Sequence, residues 1–132
     1  MNYFIDTSAF LAILDADDEN HFEAKQQWEA LIFEEHTLFC TSYILVESFA
    51  LIQHRLGLRA VRTFHEDIVP LLIIEWVDES IHREGVTGML AAGRKKLSLV
   101  DCVSFDVMRS LGIKSAFAFD RHFKEQGFTI IP

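Results

Sequence analysis

A short apolar run that ends at a carboxylate, close to the amino terminus, constrains this chain more than any other feature. Tyr3, Phe4 and Ile5 lead directly into Asp6, and two hydroxyl residues follow. A short continuous apolar run is typical of a strand that is buried on both faces, as in a parallel sheet. Open α/β sheets bind their ligands at the carboxyl ends of such strands. The run therefore predicts a buried strand with Asp6 at a functional edge of a sheet.

The same layout recurs near the other end of the chain, where the apolar run Ala116–Phe119 is followed by Asp120. Between the two runs, segments with strand and helix patterns alternate, which predicts a three-layer α/β/α fold around a mainly parallel sheet. The further predicted strands are Thr37–Cys40, Leu71–Val77 and Phe128–Ile131. The predicted helices are Ala9–Leu14, one from Asn20 to about Glu34 with Phe22, Trp28, Leu31 and Ile32 inward, Tyr43–Leu56, Leu58–Val69, one from Asp78 or Ser80 to Ala92, and one from Ser98 to Gly112.

Length and composition indicate one folded domain over residues 1–132. Half of the residues are hydrophobic, which argues against disorder. The net charge of −8 argues against broad, non-specific binding of nucleic acid, although a nuclease whose acids are neutralised by metal remains compatible with it. Cys40 and Cys102 lie among apolar residues and are expected to be buried, reduced thiols. No apolar run is long enough to cross a bilayer and no signal peptide is recognisable, so we expect a cytoplasmic protein.

Glu47 is the only charged residue between Ile44 and Ile52, in a predicted helix that is apolar almost all round. Such a helix is expected to be buried. An ionised carboxylate left unpaired there would cost several kcal/mol, so Glu47 should be protonated, paired or bound to metal. A salt bridge or a hydrogen bond to its own helix is the alternative explanation.

Asp101 has two possible roles. The sequence Ser98-Leu99-Val100-Asp101 has the form of a capping box, in which Asp101 stabilises the amino end of a helix. Asp101 also lies beside an apolar run, at the end of a helix that an α/β fold directs towards its ligand site.

Four carboxylates are thus predicted at one rim of the sheet: Asp6, Glu47, Asp101 and Asp120. Crowded carboxylates repel one another unless cations neutralise them, and all-oxygen ligands suit Mg²⁺ or Mn²⁺. Two such ions can support cleavage of a phosphodiester. Under this hypothesis Asp6 and Asp101 are the principal ligands, while Glu47 and Asp120 are secondary ligands or position water.

Two further groups of residues are candidates for supporting roles. Thr7 or Ser8 either hydrogen-bonds the carboxylate of Asp6 or a metal-bound water, or only caps the following helix. The basic loop at Arg94, Lys95 and Lys96 is a candidate for contact with an RNA backbone, and an ordinary exposed loop is the alternative.

Other chemistries fit the sequence less well. The six histidines are scattered without the spacing of zinc ligands, and His122, beside Asp120, is expected at the surface. A phosphatase with Asp6 as nucleophile is disfavoured, because haloacid-dehalogenase-type enzymes usually carry a second Asp two residues on, where this chain has Ser8.

Four segments, in order along the chain, resemble the motifs of PIN-domain ribonucleases and in particular the small VapC-type toxins of type II toxin–antitoxin systems. The segments are Phe4–Ser8, Leu45–Glu47, Ser98–Cys102 and Phe119–Phe123. The resemblance implies a parallel sheet with the strand before Asp6 at its centre, and metal-dependent endonucleolytic cleavage of RNA. It also implies metal binding by the four acids named above, a homodimer, and inhibition by a cognate antitoxin that enters the acidic pocket.

Two other functions remain open at this point. One is a PIN-fold housekeeping ribonuclease without an antitoxin, which toxicity on expression would distinguish. The other is a non-catalytic binding module, which the charge of −8 and the lack of an extended basic face keep open. A binding module would cleave no RNA with any metal.

Overall fold

Five parallel strands form one sheet in the order β3-β2-β1-β4-β5, with the first strand at the centre. The structure, a computed structural model, describes residues 1–132. Each strand pairs in parallel with its neighbours, as the sequence predicted. The strands are β1 Asn2–Ile5, β2 Thr37–Thr41, β3 Leu72–Glu75, β4 Ser115–Phe117 and β5 Thr129–Ile131.

Seven α-helices connect and cover the strands: α1 Thr7–Leu14, α2 His21–Phe33, α3 Ser42–Leu56, α4 Leu58–Thr63, α5 Glu79–Ala92, α6 Leu99–Leu111 and α7 His122–Glu125. The chain moves outward from β1 to β3 and then crosses back to β4, so right-handed crossovers place α1–α4 on one face and α5–α7 on the other. None of the helices combines the length and the apolar character needed to cross a membrane.

Aromatic side chains pack on both faces of the sheet. The ring centroids of Phe10 and Phe64 lie 5.0 Å apart on one face, and those of Phe105 and Phe123 lie 5.1 Å apart on the other. All four side chains are buried in a single hydrophobic core. The fold is therefore the predicted three-layer arrangement.

The strand order places a topological switch point between β1 and β4. The chain leaves β1 towards β2 and leaves β4 towards β5, so the two connections diverge and open a crevice at the carboxyl ends of these strands. Ile5 pairs with Phe117 in the register, and the amide of Asp6 donates a hydrogen bond to the carbonyl of Phe117 (3.0 Å). The residues that follow these two strands therefore face each other across the crevice.

Helix α2 departs from the prediction that Phe22 and Ile32 face the core. Leu31 is buried as expected, but 71% of Phe22 and 38% of Ile32 are exposed. The small residue Ala24 occupies the buried position instead. The residues that face inward depend on where the helix packs, which its own sequence does not specify.

The predicted helix Leu58–Val69 is broken into three pieces. Regular helix ends at Thr63, a wider π-helical turn covers Phe64–Ile68, and a 3-10 turn covers Val69–Leu71. The wide turn buries both Phe64 and Ile68 in the core. Burial of these side chains and Pro70 at the end of the segment explain the departure from regular helix.

Candidate functional site

Asp6 lies at the junction between β1 and α1, where it caps the amino end of the helix. Its carboxylate accepts hydrogen bonds from the backbone amide of Ser8 (3.1 Å) and from the Ser8 hydroxyl (2.6 Å). The residue is buried, with 5% of its surface exposed. The central strand thus delivers a carboxylate into the crevice, and the first turn of the helix fixes its orientation.

Burial raises the pKa of Asp6 from 3.8 to about 7. The two hydrogen bonds from Ser8 lower this pKa, while the negative charges of Asp101 and Asp120 raise it. The three carboxylates therefore lie within electrostatic reach of one another. Two effects disfavour the charged form of Asp6: the cost of burying its charge and the repulsion from the neighbouring carboxylates. A bound cation would offset both.

Asp101 occupies the first turn of α6 and forms the predicted capping box. Its side chain accepts a hydrogen bond from the amide of Ser98 (3.1 Å), and its amide donates to the Ser98 hydroxyl (3.1 Å). Burial raises the pKa of Asp101, the bonds with Ser98 lower it, and the charge of Asp120 raises it. The capping role and the proximity to other acids coexist in the same residue, so the two readings of the sequence are compatible.

Asp120 lies three residues after the end of β4, because the strand stops at Phe117 and not at Phe119. One of its oxygens, Oδ1, accepts a hydrogen bond from the backbone amide of His122 (2.9 Å). The short segment between β4 and α7 thereby directs the Asp120 carboxylate towards Asp101.

His122 enters the same crevice. Its Nδ1 lies 3.1 Å from Oδ1 of Asp120 and 3.6 Å from Oδ2 of Asp101. Ligand atoms of these three residues all lie within 4.8 Å of one another. Only 16% of the His122 side chain is exposed, so the expectation of a surface position was wrong. Its place two residues after Asp120 and directly before the fully buried Phe123 was the available signal.

Ser8, and not Thr7, supports Asp6. Besides donating to Asp6, the Ser8 hydroxyl accepts a hydrogen bond from the amide of Phe119 (3.0 Å), which joins the end of β1 to the segment that carries Asp120. Thr7 instead accepts a hydrogen bond from the hydroxyl of Ser48 on α3 (3.1 Å). One hydroxyl thus holds the crevice together, and the other fastens α1 to α3.

Glu47 lies on α3 and outside the cluster formed by Asp101, Asp120 and His122. The expectation that α3 is buried all round was wrong, since 66% of Val46 is exposed and Glu47 itself is partly exposed. Glu47 forms no ion pair with a basic residue, and its partial exposure leaves its side chain in contact with water. Its neighbour Ser48 is bonded to Thr7, so this part of α3 borders the crevice.

The basic loop lies between α5 and α6, directly before the capping box of Asp101. Arg94 forms an ion pair with Glu125 of α7 (2.9 Å), and this hydrogen bond lowers the pKa of Glu125. Lys95 and Lys96 are exposed and form no ion pair. The loop is thus tied to the segment that carries Asp120 and His122, with two lysines free at its surface.

Comparison with known proteins identifies the fold family. A model of the PIN domain matches residues 3–128. This chain belongs to the PIN-domain family. The resemblance of the four sequence segments is therefore confirmed, together with the parallel sheet and the central position of β1 that it implied.

Among curated PIN-domain relatives, the 23S rRNA-specific endonuclease VapC20 of Mycobacterium tuberculosis is 30% identical over 126 residues, which cover 95% of this chain and 94% of the relative. The crystal structure of VapC20, described as a sarcin-ricin loop cleaving toxin, superposes with a TM-score of 0.86 at 28% identity and covers 98% of this chain and 99% of that one.

Two more distant structures share the fold alone. FitAcB from Neisseria gonorrhoeae has a TM-score of 0.69 at 15% identity and covers 100% of this chain and 97% of its own. VapBC2 from Rickettsia felis, solved with a DNA fragment from its promoter, has a TM-score of 0.71 at 13% identity and covers 98% of this chain and 97% of its own.

The donor atoms in the crevice of this PIN domain suit a divalent cation. Asp6 and Asp101 both have raised pKa values, so the acids resist being charged together without compensation. The nitrogen Nδ1 of His122 is buried beside them and has no hydrogen-bond partner. Carboxylate oxygens and an imidazole nitrogen are common ligands of first-row divalent metals. The chemistry of the residues thus fits a metal site.

Proposed function

We propose that this protein is a metal-dependent endoribonuclease that hydrolyses phosphodiester bonds of RNA, formed by a single PIN-like nuclease domain over residues 1–132. The observation that carries the proposal is the cluster of Asp101, Asp120 and His122 at the switch point of the sheet, with Asp6 near enough that the charges of Asp101 and Asp120 raise its pKa. The relation to an rRNA-specific endonuclease over 95% of the chain supports the same function.

Under this proposal Asp6 and Asp101 are the principal ligands of Mg²⁺ or Mn²⁺, and Asp120 and Glu47 are secondary ligands or position water. A bound divalent cation would lower the pKa of a water molecule and stabilise negative charge on the phosphate oxygens. The assignment of Glu47 is supported by its position on α3, where its neighbour Ser48 donates a hydrogen bond to Thr7.

The protein contributes rigid placement of charged groups. Ser8 holds Asp6, the capping box holds Asp101, and a backbone amide holds Asp120, so these acids need little rearrangement during the reaction. Their orientation is set by residues within three positions in sequence. Preorganised charge of this kind is a major source of rate enhancement in enzymes.

Lys95 and Lys96 are proposed to contact the RNA backbone, with Arg94 serving mainly to brace the loop against Glu125. Two exposed lysines beside an acidic crevice would attract phosphate without making the whole surface basic. Neutralising both lysines should weaken RNA binding more than it slows cleavage of bound RNA.

The cleavage test uses purified protein, 23S rRNA as the first substrate, and Mg²⁺ or Mn²⁺ added to metal-free buffer. We expect defined cleavage products that EDTA suppresses. Asp6→Asn or Asp101→Asn should reduce the rate at least about 100-fold, which corresponds to about 2.7 kcal/mol of transition-state stabilisation. Asp106→Asn is the matched control, because Asp106 lies on the same helix as Asp101 but outside the metal-ligand cluster. Wild-type rates in both variants would refute the assignment.

We also propose that the protein acts in the cytoplasm as the toxin of a toxin–antitoxin pair and forms a homodimer. The relation to VapC20 supports the toxin role. Expression should arrest growth, and coexpression with a small protein encoded directly upstream should restore it. Light scattering on the purified chain tests the dimer. RNA cleavage without toxicity would favour a housekeeping ribonuclease, and no cleavage with any RNA or metal would favour a binding module.

A further inference from the structure

We infer that Nδ1 of His122 is itself a metal ligand, so that the site combines carboxylates with one imidazole and prefers Mn²⁺ to Mg²⁺. The inference rests on the proposed metal-dependent function and extends it by a nitrogen donor that lies outside the four acids. It concerns both the residue that binds the ion and the ion that is selected.

The environment of this nitrogen carries the argument. Nδ1 is inaccessible to solvent and makes no hydrogen bond, the only side-chain nitrogen or oxygen atom in the chain of which both are true. Leaving a buried polar atom without a partner costs about 1–3 kcal/mol. Two carboxylates lie 3.1 and 3.6 Å away, so a cation bound among the three groups would satisfy the nitrogen and the acids together.

The backbone holds the His122 ring in this position. The amide of His122 donates to Oδ1 of Asp120, and Phe123 next to it is fully buried against Phe105. His122 is the first residue of α7, and 16% of its side chain is exposed. Since both its backbone and its neighbour are fixed, the ring faces the carboxylates as part of the fold.

A salt bridge from a protonated His122 to the acids is the competing explanation. In that case Nδ1–H would be expected to donate to Asp120, but the contact lacks the geometry of a hydrogen bond despite the distance of 3.1 Å. A ligand role instead needs only the lone pair of a neutral ring and a position near the two carboxylates, which the distances of 3.1 and 3.6 Å provide.

The donor set then determines the preferred metal. Mg²⁺ favours oxygen ligands and keeps several waters, whereas imidazole binds more strongly to first-row transition metals, Mn²⁺ included. A site with His122 should therefore bind Mn²⁺ more tightly than Mg²⁺. Removing the imidazole should reduce this preference and leave Mg²⁺ binding nearly unchanged.

The decisive measurement is electron spin echo spectroscopy of the full-length protein loaded with Mn²⁺, which detects nitrogen nuclei bonded to the ion. We expect a ¹⁴N coupling in the wild type that changes to ¹⁵N when histidine is isotopically labelled, and that disappears in His122→Gln. His54→Gln is the matched control, because His54 is exposed in the last turn of α3, outside the cluster.

Calorimetric titration with each metal provides a second measurement. We expect His122→Gln to weaken Mn²⁺ binding at least about tenfold, because loss of even an outer group that only orients a ligand costs about 10–100-fold. Mg²⁺ binding should change little. The labelled wild-type protein keeps the inference testable even where His122→Gln folds poorly.

The outcomes separate this inference from the proposed function. Absence of nitrogen coupling in the wild type, absence of Mn²⁺ binding, or unchanged Mn²⁺ affinity in a folded His122→Gln would each overturn the inference. RNA cleavage accompanied by any of these results would leave the nuclease function standing. Nitrogen coupling without cleavage of any RNA would support the ligand role and remove the nuclease function.

Discussion

At the scale of single residues, Asp6 lowers the stability of the fold but lies where a ligand would bind. Its carboxylate is buried at the end of the central strand, and its pKa is raised to about 7. An apolar or amide side chain at this point would avoid the cost of burying a charge. Stability alone would therefore not favour an aspartate at this position. Ionisable residues with perturbed pKa values of this kind are typical of functional sites.

The free energy of unfolding should depend on pH through Asp6. Because its folded-state pKa (about 7) exceeds the ordinary value of 3.8, the native state binds more protons than the unfolded state between these pH values. Stability of the metal-free protein should therefore fall as pH rises from about 4 to 7 and stay reduced above that. Asp6→Asn should reduce this dependence, leaving the part that comes from the raised pKa of Asp101, and raise stability at pH 8 by roughly 2–4 kcal/mol, as measured by urea unfolding in EDTA.

Asp106→Asn serves as the control for this measurement, since Asp106 lies outside the acidic cluster. Its unfolding curves should follow those of the wild type at each pH. Equal stabilities of wild type and Asp6→Asn at pH 5 and at pH 8 would contradict the raised pKa.

Ser8→Ala should loosen the crevice. The substitution removes the hydroxyl that donates to Asp6 and leaves the amide of Phe119 without its partner. We expect a loss of about 1–3 kcal/mol in the free energy of unfolding, the usual cost of orphaning a buried polar group. The cleavage rate should fall at least about tenfold, because a lost orienting interaction of 1.4 kcal/mol has that effect.

Ser110→Ala is the matched substitution for Ser8→Ala, because Ser110 is exposed on α6. It should change neither stability nor cleavage measurably. A Ser8→Ala protein with wild-type stability and rate would show that the link between β1 and the Asp120 segment is dispensable.

At the scale of elements, the close contact of α5 with α6 positions Asp101. A Cβ atom added at Gly85 of α5 would lie 2.5 Å from Cγ2 of Val103 and 3.3 Å from Cδ1 of Leu99. Both contacted residues belong to α6, and Leu99 lies in the same first turn as Asp101. The absence of a side chain at Gly85 thus lets the two helices approach at the level of the site.

Gly85→Ala should push α5 away from α6. The expected loss is about 1–3 kcal/mol in the free energy of unfolding, as for other overpacked cores, with a reduced cleavage rate from displacement of Asp101. Gly88 on the same helix has no atom within 4 Å of an added Cβ. Gly88→Ala should therefore stabilise the protein by roughly 0.5–1 kcal/mol through helix propensity. Thermal unfolding of the two variants compares them directly, and a neutral Gly85→Ala would refute the packing argument.

At the scale of the whole molecule, folding brings together acids that a chain of net charge −8 would otherwise keep apart. Each of the two strands at the switch point carries an acid just beyond its end, and α6 supplies a third from across the crevice. The folded protein therefore carries electrostatic repulsion among these carboxylates at one edge of the sheet. Binding of a cation can compensate for this repulsion.

Metal should consequently raise the melting temperature. At a concentration 100 times the dissociation constant, a ligand that binds only the folded state adds about 2.7 kcal/mol. Wild-type protein in EDTA should melt several degrees lower than with Mn²⁺, and Asp101→Asn should lose most of this difference. Calorimetry of both proteins with and without metal is the measurement. A wild-type melting temperature that saturating Mn²⁺ leaves unchanged would count against a metal site.

The sequence alone determined most of the helices and strands and several of the features at their ends. The run before Asp6 predicted β1, and Ser98 with Asp101 predicted the capping box that the structure contains. These features depend on interactions among residues a few positions apart, which the local sequence specifies. The central position of β1 followed from the family resemblance and not from local pattern, and the order of the other strands came from the structure.

Only the tertiary structure decided which side chains meet. His122 lies in the crevice, Ser8 rather than Thr7 supports Asp6, and Glu47 lies outside the cluster on a partly exposed helix face. Each outcome depends on how helices pack on the sheet, a balance of contacts among residues that are far apart in sequence. Because local pattern carries no information on that packing, the sequence identified the acids of the site but not the part that His122 and Ser8 play in it.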